Sequence, residues 1–271
     1  ENGAINGGTI AFTGQTINLS GGTGPDNGIN IKDVAAGSAV TFAAGTGITL
    51  NGGTNGFDLD AITGNVSVGG SVTVTGTSGA GIDIDQSTGT VDFNGPGKVD
   101  NAAAAGGGIN IANSSGTFSF TGGLDIATST GTGLNATRGT LNITGTGNSI
   151  TAPAGAALAL DRVVFGSGGD EFASISSTGG ARGSDSTNVA SGVFNISPNG
   201  SVNDQNAAFD GILIQNTGAT FNFGNSTGVT TTVGGTVGET GIELASNSGN
   251  IRFDSVAIDG AAREGMLLFS N

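Results

Sequence analysis

The chain has 271 residues, of which 54 are Gly and only 4 are Pro, and its 7 basic and 21 acidic residues give a net charge of −14. One Gly in five is far above the roughly 7 % of ordinary domains and argues against a helical fold, while scarce Pro and the lack of a triplet period exclude collagen. Charged residues are only 10 % and branched apolar residues recur at regular intervals, so the chain has a core to bury and is not disordered.

Short alternating strands begin around Phe12 and Ile17-Asn18-Leu19, and Gly28-Ile29-Asn30-Ile31 then opens a series in which Gly precedes an apolar-x-apolar triplet. The series continues as Gly56-Phe57-Asp58-Leu59, Gly81-Ile82-Asp83-Ile84, Gly108-Ile109-Asn110-Ile111 and Gly133-Leu134-Asn135-Ala136. Later members are Ala157-Leu158-Ala159-Leu160, Gly211-Ile212-Leu213-Ile214, Gly241-Ile242-Glu243-Leu244 and Gly265-Met266-Leu267-Leu268. They start 28, 25, 27, 25, 24, 54, 30 and 24 positions apart. Since 54 is twice 27, a degenerate member is expected near Gly183. A second strand follows each of these, as in Val40-Thr41-Phe42 and Phe118-Ser119-Phe120, and its last position forms a column: Phe12, Phe42, Val68, Phe93, Phe120, Ile143, Phe165, Ile196, Phe223, Phe253. Seven of the 14 Phe fall there, which marks it as a core ladder. A third, weaker strand recurs as Ile48-Thr49-Leu50, Val72-Thr73-Val74 and Leu124-Asp125-Ile126.

Three short strands per period of about 26 residues, separated by Gly, Asn and Ser turns, predict an all-β chain: a right-handed parallel β-helix, or three-sided β-solenoid, of about ten coils. Alternation sends the apolar columns inward and Asn, Asp, Thr and Ser outward. Gly and Asn are expected at corners that need a positive φ. Residues 1–271 read as a single solenoid segment. Residues 166–206 read as an irregular coil with a loop insertion, its Asp170, Glu171, Arg182 and Asp185 forming an interaction surface.

These Gly-Ile-x-Ile and Gly-x-Val/Phe-x-Phe coils, rich in Gly, Ser, Thr and Asn and acidic overall, resemble the β-helix passenger regions of bacterial autotransporters and related large repeat-rich surface adhesins. The resemblance covers residues 1–271 and rests on coil texture. It implies an extracellular, cell-surface stalk or adhesive scaffold with no catalytic role, whose partners are host or matrix surface molecules. The opening at Glu1 without a leader reads as a segment of a longer exported protein, the rest of that chain being one further partner. Open terminal coils offer a second reading, self-association into a fibre or surface layer.

The negative charge disfavours nucleic acid and anionic membrane surfaces, and no window approaches the roughly 20 apolar residues of a membrane span. With no Cys, His, Trp or Tyr, disulfides, thiolate and imidazole metal sites and Cys- or His-based catalysis are excluded. Gly168-Gly169-Asp170-Glu171-Phe172 spells the diguanylate cyclase signature, but no alternating helices surround it to build that domain. Asp58 and Asp60, with Asp83 and Asp85 one coil later, share outward positions where Ca²⁺ would take oxygen ligands, although solvation and Lys32 in the same column serve equally. No cofactor is otherwise required. A third reading, a β-helix polysaccharide lyase or hydrolase, rests on Arg138, Arg162 and Asp161, against a chain with no Trp or Tyr to stack on sugars. Asn30, Asp58, Asp83, Asn110 and Asn135 form an outward column expected to be a hydrogen-bonded ladder.

Overall fold

Alternating apolar residues bounded by Gly and Asn make short strands. The computed structural model, which describes residues 7–22, 26–223 and 228–270, contains no helix among them. The strands stack in parallel into three sheets of 7, 12 and 10 strands, each strand lying beside its counterparts one coil earlier and one coil later. The chain is thus a parallel β-solenoid of about ten coils spaced about 26 residues apart. No helix in the described residues is long and apolar enough to cross a membrane.

The ten-stranded sheet, here the third sheet, runs from Ile29–Lys32 to Met266–Phe269 and is built from the Gly-led motifs. Ile29, Phe57, Ile82, Ile109, Leu134 and Leu158 stand in one register column. Like residues therefore stack on like, and the inward Phe57, Leu59, Ile84, Ile111 and Leu134 have no exposed surface. The leading Gly serves close packing and not a special φ. A Cβ on Gly81 would run into the Val99 side chain of the second sheet, and one on Gly56 into Val74. The degenerate member lies where the arithmetic puts it, as the strand Ser184–Thr187 between Leu158–Asp161 and Ile212–Gln215. Its inward residues are Ser184 and Ser186, both buried, where the neighbours carry Leu158, Leu160, Ile212 and Ile214.

The Phe ladder holds over the first coils: Phe12 pairs with Phe42, Phe93 with Phe120, and Phe120 with Ile143, while Phe223 pairs with Phe253 near the other end. Phe165 does not belong to it. It pairs with Leu141, two residues short of the expected position, because the first-sheet strand stops at Phe165 and residues 166–169 turn before it resumes. Phe172 instead faces Ile196. From there Asp170–Ser177 and Val193–Gln205 continue without a break around the corner, where their register shifts between Phe172 and Ser174, and carry the first-sheet positions into the second sheet. The rings of Phe165, Phe172, Phe221 and Phe223 gather around Phe194 with centroids 5.6 to 5.8 Å from it. Phe12, in the first described coil, is 37 % exposed.

The corner after each third-sheet strand departs from expectation. One residue per coil turns it with positive φ: Asp33, Ala61, Gln86, Asn113, Arg138, Arg162, Asn188, Asn216, Ser246 and Ser270. Gly occupies none of these positions and Asn three. The inter-coil ladder imposes the conformation. The N–H of Ala61 donates to Asp85 O at 3.1 Å, that of Arg138 to Asp161 O at 2.8 Å and that of Asn188 to Gln215 O at 2.9 Å. Breaking that bond would strand a backbone donor, which outweighs the roughly 1–2 kcal/mol strain of an L residue at positive φ.

Candidate functional site

The outer face of the third sheet carries the acidic pairs singled out in the sequence. Asp58 and Asp83 are directly paired in register, as are Asp60 and Asp85, and Lys32 precedes Asp60. Lys32 Nζ lies 3.6 Å from the Asp60 carboxylate and 3.8 Å from that of Asp58. Amides serve Asp58, Asp83 and Asp85, whereas Asp60 Oδ1 has no hydrogen-bond partner among the described residues. Asn27 and Asn30 donate to Asp58, Asn55 and Asn110 to Asp83 at 3.0 and 2.8 Å, and Gln86 and Asn113 to Asp85 at 3.1 and 2.9 Å. Asn135 continues the column by donating to Asn110 at 2.6 Å. The expected ladder therefore exists, with Asp58 and Asp83 at its centre: Asp58 takes donors from the preceding coil, and Asp83 from the coils on both sides. Partial burial raises the Asp58 pKa, Lys32 opposes that, and the Asp83 and Asp60 charges add to it. Among the described residues no three acidic groups converge closely enough to hold a metal ion.

Further along the same face, the Asp161 carboxylate accepts two bonds from Arg162, both 2.7 Å, and one from Asn188 at 2.8 Å. Burial alone would raise its pKa, but the Asn188 and Arg162 bonds hold it below the ordinary value. Arg162 and Arg138 occupy positive-φ corners. Two shallow troughs follow the ladder: one of about 380 Å³ lined by Asn55, Asp83, Asn110 and Asn135, and one of about 100 Å³ lined by Asn135, Asp161 and Asp185.

The four residues expected on one interaction loop are dispersed. Asp170 and Glu171 belong to the strand Asp170–Ser177, and Asp170 is wholly buried, so it cannot meet a partner. Alternation across the 166–169 turn sends it inward. Glu171 stays outside and accepts a 2.6 Å bond from the Ser197 hydroxyl. Asp185 lies in the strand Ser184–Thr187 and pairs at 3.3 Å with Arg182, which also bonds the buried Asp210 carboxylate at 3.1 Å. Burial raises the Asp185 pKa, Arg182 counters it, and the Asp210 and Asp161 charges add to the rise. The Arg182 guanidinium also sits 5.8 Å from the centroid of the exposed Phe209 ring. Phe209, Asp210 and the interior Asp204 escape the sequence reading. The one available signal is Asp204, a charged residue on the inward parity of Val202-Asn203-Asp204. No protein family, curated protein or solved structure matches the chain.

Proposed function

We propose that the chain is a structural and adhesive solenoid of a bacterial cell surface, an extracellular stiff spacer and not an enzyme. The observation that carries this reading is that most charged groups on the outer face of the third sheet are spent on one another or on neighbouring amides. The Asn/Asp ladder, the Asn188–Asp161 bond and the Arg182–Asp210 pair tie coil to coil, while Arg162 and Arg182 neutralise Asp161 and Asp185 within their own coils. Adhesion would fall to the troughs of the third sheet and to the Arg182–Phe209 patch, with matrix or host surface molecules as partners. Calcium is not needed for this role. Because amides serve Asp58, Asp83 and Asp85, Lys32 neutralises Asp60, and no three carboxylates converge among the described residues, adding Ca²⁺ is expected to leave the melting temperature unchanged. A rise that disappears in a D58N/D83N variant would reverse that.

One observation favours a second reading, a self-assembling fibre. The end coils expose Ile10, Phe12 and Leu19 on one side and Met266 and Leu268 on the other, residues whose counterparts in inner coils are buried, and Phe269 is exposed beside them. Further coils of a longer chain, or another copy, would continue the three sheets there. Electron microscopy across a concentration series separates the two. Single rods on the order of 50 Å, from about ten coils at roughly 4.8 Å each, support the spacer; filaments lengthening with concentration support the fibre.

A further inference from the structure

The coil that departs most from the repeat outside also departs from it inside. Asp204 has no exposed surface and lies on the inward side of Val193–Gln205, between Ser177 of the preceding coil and the inward Ser184 of the third sheet. Neither Asp204 carboxyl oxygen is within hydrogen-bond geometry of a partner, and Ser184 Oγ has none either. Asp170, equally without exposed surface, accepts one bond, from the Ile143 N–H to Oδ1, and its Oδ2 has no partner. Burial is the largest influence on both carboxyls; the Ser184 hydroxyl and Ser177 backbone near Asp204, and the Ile143 backbone at Asp170, favour the ionised form but are outweighed, and no charged side chain acts on either. The nearby charges, Glu171, Arg182, Asp185 and Asp210, are engaged with Ser197 or with one another.

An ionised carboxylate in such a place would cost several kcal/mol, which a neutral carboxyl avoids. The coil of Asp204 has the poorest apolar packing on the third sheet, where Ser184 and Ser186 replace the Leu and Ile of its neighbours. We propose that Asp170 and Asp204, on adjacent coils, keep their protons in the folded solenoid and make this pair of coils a pH-sensitive joint, closed in acid and opening locally as the two carboxyls ionise. Solenoids allow this because each coil contacts only its neighbours, so a weak coil opens without unfolding the rod on either side.

The direction follows from proton linkage. Burial pushes Asp204 up to about 7 and Asp170 up to about 8, whereas both ionise near 3.8 once exposed. The closed form therefore binds more protons. Its stability is fully present below about pH 4, declines as pH rises, and levels off above about 8, with opening favoured by up to about tenfold per pH unit for each carboxyl in between.

Limited proteolysis of the full chain between pH 5 and 8, with protease activity calibrated at each pH on an unfolded peptide, tests the joint. Cleavage within residues 166–210 is expected to rise about tenfold or more per pH unit from pH 5 to 7, and the D170N/D204N double variant, which cannot ionise there, should lose that dependence. A pH-independent rate, a rise spread evenly over all coils, or an unchanged slope in the variant would overturn the proposal. The wild-type infrared spectrum gives a second reading that needs no variant. The carbonyl band of a protonated carboxyl should persist at pH 6, when exposed carboxyls are ionised, and vanish by pH 9; its absence at pH 6 would equally overturn it.

Discussion

Ala61 turns the corner out of the third sheet at φ 54°, a conformation that Gly reaches without steric cost. Ala61→Gly is therefore expected to raise stability by about 1 kcal/mol in urea unfolding, although Gly lowers stability at most strand and helix positions. This corner was not readable from residue type, because Asp, Ala, Gln, Arg and Ser share it with Asn; the ladder bond, and not the side chain, selects the conformation. Phe194 represents the opposite case, a side chain whose role follows from what surrounds it. It is fully buried against four other Phe rings, and Phe194→Ala should cost about 3–5 kcal/mol by the same measurement. Its burial was legible from strand alternation, but its ring partners were not, since they depend on the turn at 166–169.

The strands themselves were legible wherever apolar residues alternate, because a period of two with one face buried fixes both strand and register. Ser184–Thr187 lacks that alternation, and only the spacing of its neighbours located it. The displacement of Phe165 was hidden for a related reason: four residues of turn, Gly166-Ser167-Gly168-Gly169, reset which residues face inward, and nothing in their composition states by how much. The same reset placed Asp170 on a loop in the sequence reading and in the core in the structure. The leading glycines were visible, but for a different purpose, since they make room for the second sheet. Gly81→Ala would press a methyl against Val99 and is expected to lower stability by about 1–3 kcal/mol, seen as a fall in melting temperature. Ala157, which fills the equivalent place in a later coil and is itself buried, shows that the stack can adjust to that methyl when its neighbours differ.

Across the whole molecule, the acidic composition and the two buried carboxyls act in the same direction. Self-repulsion among 21 acidic and 7 basic residues grows as carboxylates ionise, and Asp170 and Asp204 add their own loss at higher pH. A plot of melting temperature against pH should therefore fall from pH 5 to 8, and D170N/D204N should flatten the part of that fall that high salt does not remove, since salt screens surface repulsion but not a buried charge. The architecture was readable in outline because ten similar coils average out local irregularity, while the surface clusters were not, because they join residues from different coils. The coil-by-coil arrangement also has a mechanical meaning. Tension that peels one coil from the end breaks contacts with a single neighbour and exchanges about 4.8 Å of rod for about 26 residues of extended chain, roughly 90 Å. A solenoid of this kind would yield in discrete steps and dissipate load, lengthening nearly twentyfold per coil while the remaining stack stays intact.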